Sequence, residues 1–256
     1  GRIRIGTGAR ATQVSRINNP WLEKQIQKEN MNLGFTESKA NSLARVEQIY
    51  NEQANKGLNQ FMTDFFNSFR ELAITPESLA SRTMVKEAAN ALTQDFKRVN
   101  GQLKEVQNDL DGQIKTTVEE VNQITKEIAS LNEKIQQVEI QNVPANDERD
   151  HRDLLVKKLS EKLDISYAED PKSGMLNITA GQTGVVVAGT SAATLKTATN
   201  EDNRTQVVYE LSKGGTQVDI SDQFKRGSIG GALELRDNFL TDLKLHLEDL
   251  SYGIAS

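Results

Sequence analysis

The sequence predicts a mainly α member of the α+β class, a long antiparallel helical rod with a small antiparallel β module inserted into it. Three observations carry this. An apolar repeat in three- and four-residue steps runs for about sixty residues without a proline, from just after Thr75-Pro76-Glu77-Ser78 to near Ile140. Between residues 164 and 227 short β-branched runs alternate with turn residues. Helical spacing then returns at Ser228. Residues 1–17 are accordingly expected as an extended connector and 18–163 as the first part of the rod. Residues 164–227 form the β module, and 228–256 the returning helix.

Each element has a local reason. Asn19 is placed to cap a first helix, with Pro20 at its first position, where a missing donor costs nothing. Leu22, Ile26, Leu33, Ala40, Leu43 and Val46 share a face and extend this helix to about Asn55, with Gly34 weakening its middle by about 1 kcal/mol. Leu58, Phe61, Met62, Phe65, Phe69 and Leu72 make a short amphipathic second helix, read as core between the first and third. Thr75-Pro76 is read as the start of the third. Its seam is Val85, Ala88, Leu92, Phe96, Val99, Leu103, Val106 and Leu110. After a stutter it continues through Ile114, Val118, Val121, Ile124, Ile128, Leu131, Ile135 and Val138. Gly101 and Gly112 fall off the seam, where a slight bend or a close neighbour is expected.

Asn142-Val143-Pro144-Ala145 ends the rod, and Asn146 opens a fourth helix that folds back beside it through Leu154, Leu155, Leu159 and Leu163. About five strands are expected next: Ile165–Tyr167, Met175–Thr179, Val185–Val187, Gln206–Leu211 and Gln217–Ile220. The last helix repeats Ile229, Leu233, Leu240, Leu243, Leu247 and Leu250, and needs the rod as its partner.

Composition narrows the function classes. The chain has 256 residues, a net charge of -5 and only 5% aromatic residues. There is no basic face, so nucleic acid is not expected as a partner. No apolar run reaches the ~20 residues of a membrane span, so no membrane partner is expected either. With no cysteine and two histidines, catalytic options are few. Gly6-Thr7-Gly8 lacks the third glycine of a phosphate loop and reads as a turn.

The densest polar cluster is Asp147-Glu148-Arg149-Asp150-His151-Arg152-Asp153. Asp147 with His151, and Asp150 with Asp153, have helical metal-ligand spacing, but Arg149 and Arg152 compete for the carboxylates. It reads as a charged helix start with internal ion pairs. His246 reads as flanking the last seam. A glycosidase or peptidase would need paired carboxylates. Asp164, Glu169, Asp170, Asp219 and Asp222 lie near turns and in no recognisable motif. No catalytic residue, metal or cofactor is expected.

Five motifs, carried on six segments, together resemble one family. Arg16-Ile17-Asn18-Asn19-Pro20-Trp21-Leu22 is similar to an Arg-Ile-x-Asp-Pro-Phe-Leu entrance to a helical domain, with Asn19 and Trp21 as small departures. Pro76-Glu77-Ser78-Leu79-Ala80-Ser81-Arg82 is similar to Pro-Glu-Ser-x-Ala-x-Arg. Thr116 to Asn122 and Ile128 to Asn132 look like a long-helix signature. Asn146, Asp147, Asp150, Arg152 and Asp153 match Asn-Asp-x-x-Asp-x-Arg-Asp. Gly230, Gly231, Leu233, Glu234, Arg236 and Asp237 match Gly-Gly-x-Leu-Glu-x-Arg-Asp. The family is that of the first hook-associated protein of the bacterial flagellum, at the hook–filament junction.

The resemblance implies a structural, non-enzymatic protein joining hook to filament as a ring of subunits. Its neighbours would be the hook protein and the second junction protein. It would be exported through the flagellar secretion channel to an extracellular position in the flagellum. The family's terminal helices have no counterpart here, so a middle fragment, monomeric in dilute solution, is expected. An intracellular coiled-coil scaffold or interaction protein is the alternative, but it would not need a β module between two halves of one helical domain.

Overall fold

A computed structural model of the chain describes residues 19–51, 56–141, 143–210 and 214–255. The expected connector, the Gly6-Thr7-Gly8 turn, Asn142 and Leu211 lie outside these residues. The first helix, α1 (Pro20–Ile49), starts as its sequence requires, with the Asn19 side chain accepting the Leu22 N–H at 3.3 Å. It stops at Ile49 and not near Asn55. The Tyr50 N–H turns back to the Glu47 carbonyl, tightening the last turn.

Only the end of the face expected for α1 is buried, where Val46 joins the core and Leu43 packs against it. Leu22 and Leu33 are exposed, and the buried line is Gln27, Met31, Gly34, Ser38, Ser42, Val46 and Ile49. These positions also step by three and four, but many are small and polar. Small residues let backbones meet. A Cβ on Gly34 would collide with the carbonyl of Glu161. Gly34 is therefore a contact point, not merely a weak spot in a helix. Gly34→Ala is expected to destabilise the protein by roughly 1–3 kcal/mol through overpacking. That outcome runs against the roughly 1 kcal/mol gain in helix propensity. A thermal melt decides, and a raised Tm would mean that the helices separate freely there.

The second helix, α2 (Leu58–Ile74), lies along the third and is not sandwiched between first and third. Ile49, Leu58 and Val99 border one small cavity, so α1 and α2 follow one another along the same long helix. Phe61, Met62 and Phe65 are half-buried against the core, while Phe66 and Phe69 remain about half exposed.

The rod is α3 (Leu79–Glu139), 61 residues, or ~90 Å at 1.5 Å per residue. Its cap is Ser78, whose side chain accepts the Ser81 N–H, and not Thr75. Leu92, Val99, Leu103, Val106, Leu110, Ile114, Val118, Val121, Ile128, Leu131 and Ile135 are buried, as the periodicity requires. A Cβ on Gly101 or Gly112 would meet nothing within 4 Å, so among the described residues no neighbour approaches either. Gly101→Ala and Gly112→Ala should each stabilise the rod by about 0.4–1 kcal/mol. Lower urea midpoints for these variants would contradict that.

The next helix, α4 (Asn146–Lys162), doubles back along α3 and leads, among the described residues, into seven strands. They form two antiparallel sheets where one module of about five strands was expected. The first contains β1 (Ile165–Glu169), β2 (Leu176–Ala180), β3 (Gly184–Ala188) and β4 (Ser191–Ala192), in that order. The second contains β5 (Leu195–Thr199), β6 (Thr205–Glu210) and β7 (Gln217–Asp219). The sequence Leu195-Lys196-Thr197-Ala198-Thr199 offers one large apolar residue, too little to read as a strand. It suffices because β5 packs against α3.

The chain returns through α5 (Gly227–Glu234), a π-helical segment (Leu235–Phe239) and α6 (Leu240–Ala255). On α5 a Cβ at Gly231 would sit 2.5 Å from the Phe35 carbonyl of α1. One apolar cluster runs through the helices and both sheets.

Candidate functional site: two buried arginine clasps

The strongest polar constellations are two clasps that join helices to sheets. Each is built on an arginine almost wholly removed from water. Such a cation is costly to bury unless acceptors meet its donors. Both guanidinium ends are met here, although among the described residues the buried Nε of Arg152 has no partner.

The first centres on Arg152 of α4, 1% exposed. Its Nη1 donates to Asn132 Oδ1 of α3 at 2.9 Å and to the Gly174 carbonyl at 2.7 Å. Its Nη2 donates to Glu169 Oε2 of β1 at 2.9 Å. Arg149, one turn earlier, forks onto both oxygens of Glu139 at 2.7 and 2.9 Å and reaches Glu169 Oε1 at 2.6 Å. The Arg149 hydrogen bond, opposed in part by burial, holds the Glu139 carboxyl below its ordinary value. Burial depresses the Arg152 guanidinium, and Glu169 counters it.

The second centres on Arg236, in the π segment and 2% exposed. Its Nη1 donates to Asp111 Oδ1 of α3 and to the Thr205 carbonyl of β6, both at 2.6 Å. Nε and Nη2 fork onto Asp237 at 2.8 and 2.7 Å. Asp237 also accepts from Arg204 at 3.2 Å, and Asp111 accepts the Thr205 N–H at 2.9 Å. Burial opposes the Arg236 charge, but the Asp237 and Asp111 carboxylates outweigh it and raise its pKa.

Two asparagines complete the attachment. Asn122 Oδ1 accepts the Leu195 N–H and its Nδ2 donates to the Leu195 carbonyl, both at 2.8 Å. Asn132 does the same to Leu176, at 3.1 and 2.8 Å, and adds the Gly189 carbonyl at 2.7 Å. Each side-chain amide thus pairs with one residue's backbone as a neighbouring strand would. Ten residues of helix put them about 15 Å apart and roughly 80° apart around the axis. The second sheet hangs from Asn122 and the first from Asn132. Sequence reading missed them as site residues. The available signal was that each ends a family-like segment and directly follows an apolar seam residue, Val121 or Leu131.

The other sequence-singled residues fall around these clasps. Asn146, Asp147 and Asp150 lie in the first turns of α4, with both aspartates exposed where the helix dipole favours them. Asp153 is half-buried and lines a cleft of about 490 Å³ with Glu23 and Tyr167. Burial, reinforced by Asp153, Glu23 and Glu169, raises the Tyr167 pKa. Gly230 and Gly231 are the close-packed positions of α5, and Leu233 is buried beside them. Glu234 pairs with Lys39 at 2.8 Å.

Arg149 and Arg152 pair with Glu139 and Glu169, outside the cluster where internal ion pairs were expected. His151 faces Glu127 at 3.4 Å, not Asp147. Among the described residues no three His, Asp or Glu side chains are grouped as metal ligands. Three of the acidic residues of the β region serve the fold. Glu169 is held by both arginines, Asp170 accepts from Lys172 N and Ser173, and Asp219 accepts from Ser221 N and Gln206.

Comparison with known proteins locates this arrangement. Residues 43–256 match the family model described as the flagellar hook-associated protein FlgK helical domain. The flagellar hook-associated protein 1 of Bacillus subtilis strain 168 is 31% identical over 243 residues, which is 90% of this chain and 48% of that protein. Its counterpart from Salmonella typhimurium strain LT2 is 24% identical over 257 residues, covering 98% of this chain and 46% of its own length. The chain therefore spans about half the length of these relatives. A solved structure, that of the flagellar hook junction protein FlgK from Burkholderia pseudomallei, matches with a TM-score of 0.72 at 20% identity. It covers 83% of this chain and 38% of that one, and the likeness is one of fold.

Proposed function

The chain belongs to the flagellar hook-associated protein family whose helical domain it carries, and we propose that it is a structural part of the junction between hook and filament. In this reading the full-length protein assembles as a ring of subunits between the hook protein and a second junction protein. It reaches that extracellular position by export through the flagellar channel. No helix among the described residues is long and apolar enough to cross a membrane. We assign the chain no catalytic role, and read it as one helical domain of residues 18–163 and 228–256 with residues 164–227 inserted.

The observation that carries the reading is the rod with its two clasps, set in a chain that matches this family. A junction passes torque from one tube to another. A helix of ~90 Å resists bending only if its neighbours are locked to it. The Arg152 and Arg236 networks lock α4, both sheets and the returning helix to α3. The family-motif residues then have structural roles. Arg152 and Arg236 close the clasps, Asp237 supports the second, and Gly230 and Gly231 set the helix spacing. Leu233 and Glu234 hold α5 in place, while Asn146, Asp147, Asp150 and Asp153 start and orient α4.

Gold-labelled antibody against residues 164–227, applied to purified flagella, tests the placement. Label confined to a band between hook and filament is the expected result. Label along the filament, or retained inside cells, would overturn it.

The 256-residue chain is expected to be monomeric, because α1, α2, α4 and the returning helix cover the α3 seam within one chain. Sedimentation across a wide concentration range checks this. A stable dimer or trimer at micromolar concentration would favour the coiled-coil scaffold instead.

A further inference from the structure

We infer that the hairpin of α2 and the first turns of α3 is a docking groove for a partner helix whose apolar stripe is flanked by lysine or arginine. Along this stretch α3 has α2 as its packing partner, since α1 ends beside Val99. One side of the hairpin is left as an open groove of about 740 Å³. Its α2 wall carries Asp64, Ser68 and Glu71, in steps of four and three. Its α3 wall carries Ser81, Met84 and Ala88, in steps of three and four. Such spacing on two antiparallel helices makes a second seam, whose holes fit the knobs of a third helix.

The floor suits a dry contact. The Ser68 hydroxyl donates to the Phe65 carbonyl at 2.6 Å, and the Ser81 and Thr75 hydroxyls share a hydrogen bond at 2.8 Å. Neither serine needs water, and both are small enough for a helix axis to come within about 8 Å. Met84 is 55% exposed and adaptable in shape, so it can serve as the apolar contact.

The rim selects the charge of the occupant. Asp64, Glu71 and Glu87 border the groove, and among the described residues no lysine or arginine lines it. Asp64 accepts from Gln60 and lies 3.5 Å from Lys56, whereas Glu71 and Glu87 are exposed rim positions. An acidic helix would meet like charge on both walls. A second copy of this chain, with a net charge of -5, is disfavoured for the same reason. A cation-flanked helix gains at both walls.

The test uses the 256-residue chain and two synthetic three-heptad peptides. They share leucines along one stripe and differ in carrying lysine or glutamate beside it. Fluorescence anisotropy should show saturable binding of the lysine peptide, weakened by salt, and none of the glutamate peptide. The variant Glu71→Lys/Glu87→Lys should lose affinity for the lysine peptide by about tenfold or more. Met84→Asp should lose it too. Unchanged circular dichroism melts would confirm that both variants fold, as expected at exposed positions. Absent binding, equal binding of the two peptides, or indifference to the charge reversal would overturn the inference. So would self-association of the chain that Met84→Asp abolishes, which would assign the groove to a second copy.

Discussion

Arg236→Leu is expected to destabilise the protein by roughly 3–5 kcal/mol, the cost of removing one partner from a buried ion pair. The reason lies in what the arginine leaves behind. The Asp111 side chain is only 13% exposed, so its carboxylate would be left largely buried without its cation. The Thr205 carbonyl would lose its 2.6 Å donor. Asp237 would suffer less, because Arg204 still reaches it. Replacing both partners, Arg236→Leu with Asp111→Leu, should recover part of the loss, since an apolar pair leaves no orphan charge. Arg152→Leu should cost less than Arg236→Leu. Its carboxylate partner Glu169 is 41% exposed and keeps Arg149. Urea midpoints of the four proteins decide. A single Arg236 variant within about 1 kcal/mol of the parent would show that water enters the site and solvates Asp111.

The contrast between helices explains what could be read from sequence. The α3 seam was legible because a long helix with large apolar residues at regular steps has one way to bury them. The α1 face was misread because burial there follows smallness rather than apolarity. Gly34, Ser38 and Ser42 face inward so that backbones can touch, while Leu22 and Leu33 stay in water. Periodicity weighted by hydrophobicity cannot see such a face. The second sheet was half-legible for a related reason: β5 borrows its core from α3, so its own residues need little apolar area.

The clasps divide similarly. Arg152 and Arg236 were singled out through family-like motifs, but their partners lie 20 and 125 residues away, at Asn132 and Asp111. Nothing in local spacing announces such a pair. The π segment also hid in the pattern. It inserts between Leu233 and Leu240, a seven-residue step that an ordinary helix spans equally well. The extra width lets Leu235 and Arg236 be buried as well.

The second large effect is expected on the rod itself. Leu103→Ala should cost roughly 2–5 kcal/mol, the range for buried leucines whose sites collapse incompletely. Leu103 is fully buried, between Val99 and Val106 along the seam. Collapse is resisted because α3 is tied on either side nearby. Arg45 of α1 pairs with Asp109, and Lys244 of α6 donates to Gln107 at 2.6 Å. Closing the cavity would require these helices to move inward against both ties. Lys104→Ala, one residue on and exposed, should change stability by no more than about 0.5 kcal/mol. Leu33→Ala supplies the sharper control. It removes the same atoms as Leu103→Ala, but from a side chain already 50% exposed. If burial and not residue type sets the cost, the two leucine variants must differ widely in urea midpoint. Equal losses would mean that the exposed face of α1 is covered in solution and that the seam is not what holds the rod together.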